Sequence, residues 1–233
     1  MPSETPVDFD SYRDSYSDAV EESIAFAGAE HDFYTRAKVR TLLELAAERV
    51  GDPKKLAFLD VGCGPGETDQ FLKDEIGGLT GVDVASELVD RARERNPWAE
   101  YRAFQSGEPV PVEDAAFDVS FAICVFHHVK PEGRPALLAE MKRATRPGGL
   151  VVIFEHNPWN PATRRVVSTC EFDRDAELLS RRTAERLLED AGMTEVDGSY
   201  ILFIPREGRS IQRVERGLGW LPLGAQYVAS GLR

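Results

Sequence analysis

The sequence predicts an α/β protein built on a doubly wound sheet of seven strands. Three observations predict it. Short apolar runs and helical repeats alternate along most of the 233 residues. The first run, Phe58-Leu59-Asp60-Val61, leads into a glycine-rich turn, Gly62-Cys63-Gly64-Pro65-Gly66. A second run ends in an acid, Asp83, where a doubly wound sheet places a carboxylate that accepts hydrogen bonds from a ribose diol.

Taken in order, residues 1–8 are expected to be disordered, and from Tyr12 to Val50 the pattern is helical. Val39, Leu42, Leu43, Leu45 and Ala46 make an apolar stripe at helical spacing that stops at Gly51-Asp52-Pro53. Residues 1–50 thus read as a helical N-terminal cap on a domain of residues 51–233. Tyr12, Tyr16, Phe26, Phe33 and Tyr34 either pack onto that domain or close over its ligand as a lid. Strands are expected near 56–61, 79–83, 100–104, 117–124 and 149–155, and helices near 67–75, 86–95 and 132–145. Residues 156–180 form an insertion after a strand's carboxyl end, where such sheets bind ligands. A helix over 183–191 stops at Gly192, and Val196 to Ile204 reads as a strand. A second insertion, 205–224, carries an amphipathic helix with Ile211, Val214 and Leu218. The last strand, near Gln226–Ser230, is placed to pair antiparallel with the one before it.

The glycine turn selects the ligand. Gly62, Gly64 and Gly66 permit sharp backbone angles and close approach of a ligand. A helix starting near Glu67 would aim its positive end at that ligand. A dinucleotide turn reads G-x-G-x-x-G with a pyrophosphate on the helix end. Here the spacing is G-x-G-x-G and Asp60 precedes it, which suits an amine-bearing ligand better. This segment resembles motif I of the class I S-adenosylmethionine-dependent methyltransferases. The likeness runs through residues 56–155 and returns at the C-terminal end. Phe117-Asp118-Val119, His127-His128-Val129 and Arg146-Pro147-Gly148-Gly149 are similar to its small-molecule branch, the type 11/12-like methyltransferases. The resemblance implies the Rossmann-like methyltransferase fold, with an antiparallel last strand.

It also implies a cofactor site. Asp60, Gly62 and Gly64 would line the methionine moiety and ribose, with Cys63, Pro65 and Gly66 alongside. Asp83 would accept the ribose hydroxyls and Val84 would pack on the adenine. After the third strand the family carries Gly-Asp-Ala, whose acid receives the adenine amino group. This chain has Gln105-Ser106-Gly107 instead, so Ser106, Gln105 or a backbone carbonyl takes that role. Cys124 would meet the methionine end through its backbone, and Lys38 the cofactor carboxylate.

Methyl transfer asks mainly for alignment of nucleophile, methyl and sulfur, and for a base where the acceptor carries a proton. His128 and His156 follow the fourth and fifth strands and face one crevice, so they are the candidate bases; a structural role is the alternative for each. With four histidines scattered along the chain and no cysteine pair at zinc spacing, no metal is expected. Trp159, Phe172, Trp220 and Tyr227 are candidate walls for an apolar or aromatic acceptor.

Composition narrows the class. The net charge is −12, with residues 1–30 especially acidic and no strong basic stripe elsewhere, which disfavours a nucleic-acid partner. No apolar run reaches the length of a membrane span, and no signal peptide is visible. Three widely spaced cysteines fit a reducing, cytoplasmic setting. The expected activity is methyl transfer from S-adenosyl-L-methionine to a small organic acceptor at oxygen or nitrogen, by a monomer or homodimer. The alternatives are carbon methylation of a quinone- or lipid-like acceptor, an NAD-dependent oxidoreductase and a non-catalytic scaffold.

Overall fold

The computed structural model describes residues 31–170, 173, 175–206 and 208–233. Helix α1 (His31–Arg49) is followed by β1 (Ala57–Val61), β2 (Gly78–Asp83), α2 (Ser86–Arg95), β3 (Glu100–Ala103), β4 (Phe117–Ile123) and α3 (Arg134–Ala144). Then come β5 (Thr145–His156), α4 (Pro161–Thr169), α5 (Arg181–Asp190), β6 (Thr194–Ile201), α6 (Arg209–Leu218) and β7 (Gln226–Leu232). The seven strands form one sheet in the order β3-β2-β1-β4-β5-β7-β6. The five strands from β3 to β5 are parallel. β7 lies antiparallel between β5 and β6, from Leu150 opposite Leu232 to His156 opposite Gln226. This is the doubly wound sheet with a reversed last strand that the sequence predicts.

The sheet is covered on both faces, which is why its centre reads as continuous apolar sequence. Leu150 to Phe154 of β5 are all fully buried. Leu150, Val152 and Phe154 pack with Phe58, Val119, Phe121 and the α1 residues Leu42 and Ala46. Val151 and Ile153 join Leu59, Val61, Leu138, Met141 and Leu188 in the opposite core. Helix α1 is also tied down by Arg49, whose guanidinium donates to Ser230 Oγ at 2.9 Å and to the Glu195 carbonyl at 2.6 Å.

Several expectations change. No α-helix forms over 67–75, only a 3-10 turn at Asp69–Phe71. Asp69 turns inward to accept from the Tyr101 hydroxyl at 2.7 Å, and Asp74 takes a left-handed backbone (φ 64°), so the segment cannot keep a helical face. The positive helix end expected over the glycine turn is therefore absent. β5 begins four residues before the expected 149, and β6 ends at Ile201 because Leu202 bends away (φ 62°). The insertion 156–180 contains α4, started by Asn160, whose side chain accepts from the amides of Ala162 and Thr163. Residues 1–30, with Tyr12, Tyr16 and Phe26, and Phe172 lie outside the described residues.

Leu42 reaches the same core as the central strands, so α1 is a structural member of the sheet. Leu42→Ala should cost about 2–5 kcal/mol in urea unfolding; a loss well under that range would make α1 a peripheral addition.

Candidate active site

The site begins where β1 stops. Gly62 has φ 80°, and a Cβ there would lie 2.4 Å from Val125 Cγ2, so no side chain fits under the loop after β4. Gly64 has φ 50° with open space where its Cβ would be, which leaves bare backbone facing the crevice. The turn is pinned to β2. The amides of Gly62 and Cys63 donate to the Val82 carbonyl at 2.8 and 3.1 Å. Asp83 holds Gly64 N through Oδ2 (2.8 Å) and Ala85 N through Oδ1 (2.9 Å).

Above the turn lies a cavity of about 210 Å³. Lys38, Asp60, Gly62, Cys63, Gly64, Pro65, Cys124, His128 and His156 all line it, as expected from sequence. Gly66 and Asp83 hold the turn from behind and do not line the cavity. Val84, Gln105, Ser106 and Gly107 do not line it either. They lie on the open side of Asp83, where the Phe104 amide donates to the Asp83 carbonyl, and they are exposed. Three of the expected aromatic walls are not walls. Trp159 and Trp220 are 67% and 73% exposed, while Tyr227 is buried in the core with its hydroxyl donating to the Leu179 carbonyl. Tyr34 and Thr35 of α1 and Thr163 and Val166 of α4 line the cavity instead.

One half of the cavity is acidic. Asp60 is buried, and its Oδ1 has no hydrogen-bond partner among the described residues. Burial, and then the neighbouring Asp69 and Asp83, push its carboxyl well above the usual range, against a lowering pull from Lys38. Lys38 is itself buried on the same wall. Burial pushes Asp69 up to about 6. An orphaned buried acceptor beside bare backbone fits a ligand that brings an amine or ammonium donor. Burial also raises the Cys63 and Cys124 thiols, so neither is a ready nucleophile. The Cys124 amide is already given to the Phe154 carbonyl at 2.8 Å.

The other half is a histidine cluster, in which the expected His128 and His156 are joined by His127, Glu155 and Asp173. His127 Nδ1 lies 2.7 Å from Glu155 Oε2 and its Nε2 lies 3.2 Å from Asp173 Oδ1. His128 Nε2 lies 3.5 Å from that same Asp173 oxygen. The His156 ring sits 5.1 Å from that of His127, and its Nδ1 is 3.4 Å from Gln226 Nε2. Despite burial, Glu155 and Asp173 hold His127 protonated well above its usual range. Burial, then His127, brings His128 and His156 down to about 4. The ligand atoms of His127, His128 and Asp173 lie within 4.8 Å of one another, a grouping that their spacing in sequence does not suggest.

Residues 59–153 match the family model of the methyltransferase domain. The chain is 36% identical over 95 residues to the malonyl-[acyl-carrier protein] O-methyltransferase of Serratia marcescens, covering 41% of this chain and 36% of that one. It is also 36% identical over 113 residues to the tRNA (carboxymethyluridine(34)-5-O)-methyltransferase alkbh8 of Xenopus tropicalis, covering 46% and 17%. The chain spans half or less of the length of the first curated relatives it matches. Among solved structures it superposes on the putative methyltransferase bound to the Trm112 activator of Haloferax volcanii, with TM-score 0.64, 19% identity and 98% of each chain covered.

The Asp60–Asp69 pair makes a pH prediction. Asp69 keeps a proton up to about 6 when folded, against roughly 3.9 when unfolded. Between those values the folded state holds the extra proton, so its stability falls as pH rises through the window. Asp69→Asn can still accept from Tyr101 and removes that titration. Urea unfolding at several pH values should show the variant gaining on wild type by about 1–3 kcal/mol from pH 4 to pH 6.5; parallel curves would contradict the assignment. Motif, sheet order and family match agree that residues 59–153 are those of a methyltransferase domain, similar to the class I S-adenosylmethionine-dependent methyltransferases.

Proposed function

We propose that this chain transfers a methyl group from S-adenosylmethionine to an oxygen of a small organic acceptor held in the cavity. The observation that carries the reading is the buried Asp60 carboxyl, whose Oδ1 has no hydrogen-bond partner among the described residues, beside the open backbone of Gly64. Asp60 would receive the ammonium of the methionine moiety and Lys38 its carboxylate. Gly62, Cys63, Gly64, Pro65 and Gly66 would supply the close-fitting backbone. Asp83 would accept the ribose hydroxyls. Val84 with Gln105, Ser106 and Gly107 would form an outer wall for the adenine. When bound, this cofactor supplies an electrophilic methyl on a sulfonium sulfur.

The protein's own contribution is then alignment and proton handling. His128 and His156 face the cavity from the ends of β4 and β5, so they stand at its acceptor end. Gln226 Nε2 at His156 Nδ1, read as an amide donor, leaves the His156 proton on Nε2. His156 would thus donate to the acceptor and orient it, and not act as the base expected from sequence. Oxygen is favoured over nitrogen or carbon because both relatives named above carry O-methyl transfer in their names. A small acceptor fits the cavity of about 210 Å³, and the net charge of −12 disfavours a nucleic-acid surface. Among the described residues no helix is long and apolar enough to cross a membrane. Residues 1–50 as cap, the insertions at 156–180 and 205–224, and a cytoplasmic monomer or homodimer complete the reading.

Asp83→Ala should weaken calorimetric binding of S-adenosylmethionine by roughly 1.5–3 kcal/mol, the range for a hydrogen bond to a charged group; unchanged affinity would remove Asp83 from the site. His128→Ala should slow single-turnover methylation by about 10²–10⁴-fold, and His156→Ala should slow it as well, each while leaving cofactor affinity alone. Near-normal rates in both would detach the histidines from the reaction.

A further inference from the structure

We infer that His127, His128 and Asp173 form a binding site for a divalent first-row transition-metal ion at the acceptor end of the cavity. Two imidazoles and one carboxylate are a donor set such ions favour. Ligand atoms on an ion with bonds of about 2.0–2.2 Å sit roughly 3–3.5 Å apart. The Asp173 oxygen lies 3.2 Å from His127 Nε2 and 3.5 Å from His128 Nε2. With all three donor atoms within 4.8 Å of one another, small side-chain adjustments suffice to bring them onto one ion.

The surroundings are those of a built site. His127 turns its Nδ1 to the Glu155 carboxylate at 2.7 Å, and Glu155 also accepts the His127 amide at 3.2 Å. A carboxylate on the far nitrogen of a ligating histidine fixes the tautomer and strengthens the donor. Asp173 is held on both sides: its amide donates to the Cys170 carbonyl at 3.3 Å, and its carbonyl accepts from the Ala176 amide at 3.0 Å. A proton between Glu155 and Asp173 would account for His127 alone. His128 Nε2 stands at the same Asp173 oxygen, where one ion would join both rings to that carboxylate. All three residues line the cavity, so the remaining coordination positions face the space left for an acceptor.

An ion here would hold an acceptor through an oxygen atom, which selects acceptors with a carboxylate, phenol or hydroxyl, and His128 would act through it. That use rests on the methyl-transfer reading; binding of the ion does not. The test is titration of the full, EDTA-treated chain with cobalt(II), followed by its visible absorption. One equivalent should bind with saturable d–d bands. Glu155→Gln should weaken binding about 10–100-fold, and His128→Gln or Asp173→Asn, checked for folding by circular dichroism, should abolish the bands. No saturable band with wild type, or the same isotherm in folded His128→Gln and Asp173→Asn, would overturn the proposal. Cobalt binding without S-adenosylhomocysteine binding would leave the metal site standing and sink the methyl-transfer reading; the reverse outcome would do the opposite.

Discussion

Gly62 sits where the chain winds one way from β1 to β2 and the other way from β4 to β5. Its positive φ and the 2.4 Å gap its Cβ would leave to Val125 let the two loops meet. With a side chain there, the loop after β4 would have to lift. Cys124, His127 and His128 would lift with it, away from Asp60 and Lys38. The crevice at a switch point is a property of the topology, but its depth here depends on one missing side chain. Asp83 adds the second constraint by fastening Gly64 and Ala85 to one carboxylate.

The loops so placed bring together two unlike electrostatic halves. At the glycine turn, Asp60 is buried with Lys38 as its compensating charge and Asp69 is held by the Tyr101 hydroxyl, which makes that wall receptive to a cation. At the ends of β4 and β5, Glu155 and Asp173 are spoken for by histidines. A ligand with an ammonium at one end and a reactive methyl near the other would lie along this gradient. The insertion with α4 and the residues after β6 close the cavity from the side: Thr163 donates to the Ala225 carbonyl at 2.7 Å, and Leu202 folds into the wall.

Much of this was legible in the sequence because it is local. The strand-turn pattern around Gly62, the acid at Asp83 and the alternation of elements all depend on neighbours a few residues apart. What was not legible depends on distant partners. The expected helix over 67–75 lost to the Asp69–Tyr101 hydrogen bond, which spans 32 residues. His127 gained its importance from Glu155, 28 residues on, and Asp173, 46 residues on. Neither acid stood out in a chain with 40 acidic residues. Trp159 and Trp220 looked like pocket walls because aromatic residues in a core and at a surface read alike, and the fold places both in solvent. Ser106 was judged by its alignment to a family acid, but its loop opens outward from β3.

The central claim is that the glycine turn and its acidic wall form a methyl-donor site and not a dinucleotide site. Thermal unfolding of the full chain with S-adenosylhomocysteine, and separately with NAD, tests it most directly, since a ligand of the folded state alone raises the melting temperature. At about one hundred times the dissociation constant the expected rise is roughly 5–10 °C with S-adenosylhomocysteine and none with NAD. A rise with NAD alone, or with neither ligand, would contradict the account.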